Sequence, residues 1–226
     1  MALDNVTVVV PVKNEERSLE EVLHGIFKHT KSVIVVDGHS DDRSREVATS
    51  AGARVLLDNG LGKGDAIRTA IPEITDEITV FIDGDGSHNP DDIPALVAPI
   101  KSGEFDHVSA SRLIGGSSEL HGGFDEFMRL AGSSFITACI NWRFKVRLSD
   151  SQNGFRAIRT DVLKKLNLQE NSTTIEQEMI IKTLKLGYRL GEVPAHEHPR
   201  KYGSSHIALS RVWHLYLWSL IRNLFF

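Results

Sequence analysis

An α/β fold, a mostly parallel sheet flanked by helices, is what the sequence predicts, and three observations carry that prediction. Four short apolar runs, Val6–Val12 and residues 32–36, 53–57 and 79–82, are rich in β-branched residues, the pattern of strands covered on both faces. Between them lie segments with helical spacing, and strand–loop–helix alternation winds into a right-handed parallel sheet. Each run also ends in polar or glycine-rich sequence, which builds one rim at one end of the sheet. Ligands of open α/β sheets bind at that rim.

Val6–Val12 ends in Lys13-Asn14-Glu15-Glu16. Leu19, Val22, Leu23, Ile26 and Phe27 then fall at the spacing of an amphipathic helix. The second run stops at Asp37-Gly38-His39-Ser40-Asp41-Asp42 and a helix follows through about Ser50. After the third run comes Gly60-Leu61-Gly62-Lys63-Gly64, then a short helix. That loop is no Walker A motif, because Leu57 and Gly64 occupy positions that need a glycine and a hydroxyl residue. Nor is it a dinucleotide fingerprint, since Asp65 takes the last glycine's place. It still offers Lys63 and free amides to a phosphate.

The chain is organised around the fourth run, which leads directly into Asp83-Gly84-Asp85-Gly86-Ser87-His88. Side chains two apart on extended backbone point the same way, so both carboxylates can face one hard cation. An EF-hand reading fails, because the sixth and twelfth positions from Asp83 are His88 and Pro94. A solvated Asp-Gly turn is the simpler alternative, against which stands the apolar strand before it. The other reading is a D-x-D motif holding Mg²⁺ or Mn²⁺ against a diphosphate.

Farther along, residues 91–101 read as a helix and 105–110 as a strand ending in Ser111-Arg112. A long helix over 124–145 places Arg129 and Ser133 four apart on one face, where a guanidinium and a hydroxyl can grip a phosphate. Residues 174–179 open another helix, in which Glu176 and Glu178 are either structural or in contact with sugar hydroxyls. Three histidines within 192–206 raise the idea of zinc, but His196, His198 and His206 lack the spacing of a structural site. The last stretch, 207–226, has Leu209, Trp213, Tyr216, Leu217, Leu220 and Leu224 on one helical face and Arg211, His214, Ser219 and Arg222 on the other. A spanning helix rarely tolerates two arginines so placed; the pattern is that of an amphipathic helix in a membrane interface, or one packed on the domain or a partner. Arg143, Lys145 and Arg147 add attraction to anionic lipid.

The 226 residues, 41% of them hydrophobic, suffice for one α/β domain and an appendage, divided here as 1–205 and 206–226. A net charge of −4 argues against a nucleic-acid binder. Cys139 stands alone, which excludes an intrachain disulfide and fits a reducing compartment. The first twelve residues lack a basic stretch ahead of their apolar run, so no signal peptide is expected and the protein is placed at the cytoplasm or its membrane face.

Val-Pro-Val-Lys-Asn-Glu-Glu16, Val-Val-Asp-Gly-His-Ser-Asp-Asp42, Gly-Leu-Gly-Lys-Gly64 and Phe-Ile-Asp-Gly-Asp-Gly-Ser-His88 occur in an order that resembles the inverting nucleotide-sugar glycosyltransferases of family 2, with the Rossmann-like GT-A fold. Within them the chain is similar to the dolichyl-phosphate mannosyltransferase type. The likeness continues through Ser111-Arg112, Gly115-Gly116, Arg129, Ser133, Asp150 to Arg156 and Arg200 to Ser205. It departs at Ser87, where relatives often carry glutamine, and at Gln152-Asn153, where they carry Thr-Ser.

The resemblance implies a base pocket lined by Pro11, Asn14 and Glu15, with Asp37 near base or ribose. It implies metal held by Asp83 and Asp85, with Ser87 as a weaker third ligand. Lys63, Arg112, Arg129, Ser133 and Arg200 would serve the phosphates. The implied reaction moves mannose or glucose from a donor such as GDP-mannose or UDP-glucose to dolichyl or polyprenyl phosphate. It would run on the cytoplasmic face of a membrane, with a membrane-spanning subunit as a possible partner. The alternatives are transfer to a soluble or glycan hydroxyl with Asp150 as base, and a nucleotide-sugar-binding subunit without catalysis.

Overall fold

The run Val6–Val12 forms β1, and its composition follows from its place in the sheet: Val6, Val8, Val10 and Val12 enter one core cluster while Val9 enters the cluster on the opposite face. This is a computed structural model, and it describes residues 3–118, 124–200, 202 and 209–226. Parallel to β1 lie β2 (Ser32–Asp37) and β4 (Ile78–Phe81), and β3 (Arg54–Leu57) pairs parallel with β2. The seven-stranded sheet has the order β3-β2-β1-β4-β6-β5-β7, where β5 is His107–Ser111, β6 is Arg156–Arg159 and β7 is Leu190–Pro194.

Helices cover both faces. On one side α1 (Leu19–Phe27), α2 (Ser44–Ser50) and α4 (Ile93–Lys101) supply Leu23, Ile26, Ala48, Leu96 and Val97 to the core. The other side holds α3 (Lys63–Ala70), α7 (Thr160–Lys165) and α8 (Ile175–Lys185), which bring Ile67, Val162, Leu163 and Met179. The helix α5 (Arg112–Gly115) is a single turn. A third cluster joins α6 (Phe124–Phe144), α8 and α9 (Leu209–Phe225) through Ile136, Ile140, Ile180, Ile181, Leu220 and Leu224.

The sheet is the expected mostly parallel one, with one departure that matters for the site. β6 runs antiparallel between β4 and β5, with Arg156 opposite Phe81 and Ser109. Because an antiparallel strand begins where its parallel neighbours end, residues 150–155 are delivered to the rim beside Asp83. β7 then continues parallel to β5 and feeds residues 195–200 over the same rim.

The C-terminal helix also differs from its sequence pattern. Leu220 and Leu224 are buried within the third cluster, and Ser219, assigned to the polar face, is buried with Asn223, whose amide it accepts at 3.2 Å. The outward side carries Leu215, Trp218, Ile221 and Phe225. The reason is that α9 packs on α6 and α8, which rotates the expected interface face partly inward. No helix among the described residues is long and apolar enough to cross a membrane.

Candidate active site

The ends of β1 to β5 and β7 and the start of β6 build the site. Asn14, after β1, adopts φ 59°, a left-handed conformation asparagine tolerates. There its Oδ1 accepts the Asp41 amide at 2.8 Å and its own amide donates to Ser40 Oγ, tying the β1 loop to the β2 loop. Ser18 Oγ donates to the Gly84 carbonyl at 2.8 Å and so links α1 to the aspartate loop. Within that loop Gly86 has φ 77°, where a side chain would be strained. Ser111 caps α5 by accepting the Ile114 amide, which sets Arg112 at the start of the turn.

These elements surround one cavity of about 890 Å³. Its walls include Pro11, Asn14, Glu15, Lys63, Asp83, Asp85, Arg112, Arg129, Ser133, Asp150 and Arg200, all anticipated from sequence. Asp37 and Ser87 do not line it. Asp37 is fully buried behind Gly38, where it accepts the Ser40 amide at 3.0 Å and lies 3.6 Å from Arg45. Ser87 is buried: its backbone amide donates to Asp85 Oδ1 and its carbonyl accepts the His198 amide at 2.8 Å. The neighbouring His88 takes the cavity wall instead, its ring against Phe155. Burial depresses the His88 imidazole to about 4, so it is neutral near pH 7 and its Nδ1 is buried without a hydrogen-bond partner. Gly203 and Ser205 lie outside the described residues, as does the face assignment of Leu209 and Arg211.

Ion pairs organise the polar half. Lys63 Nζ stands 2.6 Å from Asp83 Oδ1 and 2.7 Å from Glu176 Oε1. Burial opposes the charge on Asp83, but Lys63 outweighs it and holds the carboxyl below its ordinary range. Arg200 Nε lies 3.2 Å from Asp85 Oδ2. Glu15 faces the same pair rather than a base pocket alone, and burial, reinforced by Asp85, pushes its carboxyl up to about 7. Arg112 holds Asp150 through Nε at 2.6 Å and a second nitrogen at 3.0 Å, and reaches Glu197 at 3.4 Å.

The donor set fits a hard divalent cation. Two carboxylates at the strand end each already hold a protein cation. Among the described residues no group of three His, Cys, Asp or Glu side chains is placed to hold a metal. Mg²⁺ is commonly bound this way, by one or two carboxylates completed by substrate phosphates. Zinc is not favoured at His196, whose two nitrogens meet Ser118 Oγ and the Gly115 carbonyl.

The other half of the cavity is apolar. Leu113, Leu130, Phe135, Trp213 and Leu217 line it, and Phe135 and Trp213 are both more than half exposed at its mouth. Sequence reasoning left Glu176 open between a structural role and sugar contact, gave Gln152 no role, and did not place His88, Asp58 or Glu197 in the cavity. For His88 the adjacent D-x-D motif was a signal, whereas Glu197 reaches the site only through the β7 register.

Residues 7–166 match the family described as glycosyl transferase family 2. A Haloferax volcanii protein named glycosyltransferase AglJ is 29% identical over 203 residues, 89% of this chain, which spans 65% of that relative's length. A dolichyl-phosphate hexose transferase of the same organism is 31% identical over 194 residues, covering 84% of this chain and 82% of its own. Among solved structures, glucosyl-3-phosphoglycerate synthase from Mycobacterium tuberculosis, in complex with Mn²⁺, UDP-glucose and phosphoglyceric acid, superposes with a TM-score of 0.75. It shares 22% identity and covers 97% of this chain and 79% of its own, a likeness of fold. With a GT-A sheet and a family match over more than half of its length, the chain belongs to glycosyl transferase family 2.

Proposed function

We propose that this glycosyltransferase moves a hexose, mannose or glucose, from a nucleoside diphosphate sugar to the phosphate of a polyprenyl or dolichyl phosphate, with inversion. One observation carries the reading: a single cavity joins a rim of carboxylates and cations to an apolar mouth made by Phe135, Trp213 and Leu217. Arg129 and Ser133 line the same cavity from α6. An acceptor with a phosphate head and a hydrocarbon tail uses both halves, whereas a small hydrophilic acid leaves the apolar half unused. The relative named dolichyl-phosphate hexose transferase supports the same acceptor class.

An acceptor phosphate is already ionised near neutral pH, so the reaction needs no general base. The chain's work is positioning and charge stabilisation. Asp83 and Asp85 would hold Mg²⁺ or Mn²⁺, which when bound supplies Lewis-acid stabilisation of the leaving diphosphate. Lys63 and Arg200 face the donor phosphates, and Arg129 with Ser133 orients the acceptor phosphate. Pro11, Asn14 and the glycine loop at 60–62 flank the nucleoside. Asp150 fits poorly as a base for a hydroxyl acceptor, because Arg112 occupies its carboxylate and keeps it below its ordinary range against the effect of burial.

The enzyme would work as a peripheral protein on the cytoplasmic membrane face, alone or with a membrane-spanning subunit. Exposed Trp142, Trp218, Ile221 and Phe225, flanked by exposed Arg143, Lys145 and Arg222, would meet an anionic bilayer. The test is incubation with a panel of labelled nucleotide sugars, Mg²⁺ or Mn²⁺ and polyprenyl phosphate in detergent, with Asp85→Asn alongside. Label passing into the organic phase only with the unmodified enzyme supports the reading. Transfer to water-soluble acceptors alone would overturn it.

A further inference from the structure

Lys63 is held in place from several directions. Its ammonium bridges Asp83 and Glu176, and all three charged ends converge on Gly154. A Cβ at 154 would stand 2.7 Å from Lys63 Nζ, 2.9 Å from Asp83 Oδ2 and 3.0 Å from Glu176 Oε1. Beneath them the fully buried Arg156 donates to the Glu176 carbonyl at 2.8 Å and to the Asn153 carbonyl, fixing the backbone on both sides of the cluster. The bridge is therefore built into the fold.

A divalent ion brought to Asp83 alone meets this ammonium at close range, and Arg200 stands likewise on Asp85. Like charges a few ångströms apart in a partly desolvated site repel far more strongly than they do in bulk water. A diphosphate reverses the balance, since its negative oxygens offer Lys63 a new partner.

We infer that Lys63 is the resident counter-cation of Asp83, held over the site by Glu176, and that it makes divalent-metal binding conditional on a nucleoside diphosphate. The inference rests on the glycosyl-transfer reading only for the identity of the nucleotide. Glu176 is thus a positioning residue: it keeps the ammonium inside the cavity when Asp83 is taken over.

The experiment titrates Mn²⁺ into the full chain, reading free Mn²⁺ by electron paramagnetic resonance, with and without UDP or GDP. The unmodified protein is expected to bind Mn²⁺ about tenfold or more tightly when nucleotide is present. Lys63→Met is expected to bind Mn²⁺ alone about tenfold more tightly than the unmodified chain, and to lose most of the nucleotide's enhancement. Lys63→Arg, which keeps the charge, should stay close to the unmodified chain in the metal-alone arm. Equal Mn²⁺ affinity with and without nucleotide in the unmodified protein overturns the inference, and that arm needs no variant to fold. Unchanged or weaker metal-alone binding in a folded Lys63→Met protein overturns it as well. Tighter metal-alone binding in a variant whose parent transfers no sugar supports the inference and overturns the proposed reaction, so the two fail separately.

Discussion

Arg112 and Asp150 form a two-point ion pair, with Nε and a terminal nitrogen of the guanidinium at 2.6 and 3.0 Å from the two carboxylate oxygens. Asp150 is 1% exposed, and the same carboxylate accepts the Gln152 amide at 3.0 Å. Its lone pairs are committed to holding Arg112 toward the cavity.

Asp150→Asn should therefore act through Arg112. Its kcat/KM is expected to fall by about 10²-fold while the acidic limb of the pH profile stays, the reverse of what loss of a general base produces. Removing one partner of a buried pair costs about 3–5 kcal/mol, with Glu197 softening the loss, so Tm should drop too. Kinetics across pH and a thermal melt check both effects.

Arg129→Ala should separate acceptor from donor. Arg129 lines the cavity from α6, remote in sequence from the donor loops. Loss of a charged hydrogen bond worth about 1.5–3 kcal/mol corresponds to an acceptor KM raised about 10- to 100-fold, with the donor KM little changed. Initial rates at varied acceptor and fixed donor decide it.

Glu15 links stability to pH in a stated direction. Its folded carboxyl sits at about 7 against an ordinary 4.5, so the folded protein binds the proton more tightly than the unfolded chain. Stability from this group is present at low pH and lost as pH rises through that window. With chelator present, Glu15→Gln should raise Tm at pH 8 by about 2–4 °C, about 1 kcal/mol in a domain of this size, and leave pH 4 unchanged. Melts from pH 4 to 8 measure it.

Gly154→Ala tests the convergence of Lys63, Asp83 and Glu176. The added methyl meets the flexible ends of side chains rather than backbone, so the fold should survive with a modest change in Tm. The charged ends must separate, and activity is expected to fall by about 10²-fold. Circular dichroism beside the transfer assay distinguishes a displaced site from an unfolded chain.

The strand ends were legible because their chemistry is local: an apolar run followed by Asp83-Gly84-Asp85 or Lys13-Asn14-Glu15 declares a loop at the rim of a sheet. β6 was not, since Arg-Ala-Ile-Arg is four residues with charge at both ends and is stabilised by pairing with β4 and β5. Without β6 the arrival of Asp150 and Gly154 beside Asp83 cannot be derived. Asp37 and Ser87 are a different case. Both sit in the expected loops but are buried outside the cavity lining, which loop membership alone does not reveal. The face of α9 was misassigned in part because its partners, α6 and α8, are distant in sequence.

The claim at the centre of this account is that the acceptor phosphate arrives on a hydrocarbon chain. The most direct measurement is kcat/KM, in detergent and at fixed donor, for a series of isoprenoid phosphates from one isoprene unit to a long polyprenyl chain, with 3-phosphoglycerate as comparison. The account predicts a rise of about 10²-fold or more along the series, as apolar carbons bury against Phe135, Trp213 and Leu217 at about 0.8 kcal/mol per methylene. It also predicts no transfer to 3-phosphoglycerate. A flat series, or preferred use of 3-phosphoglycerate, would contradict it.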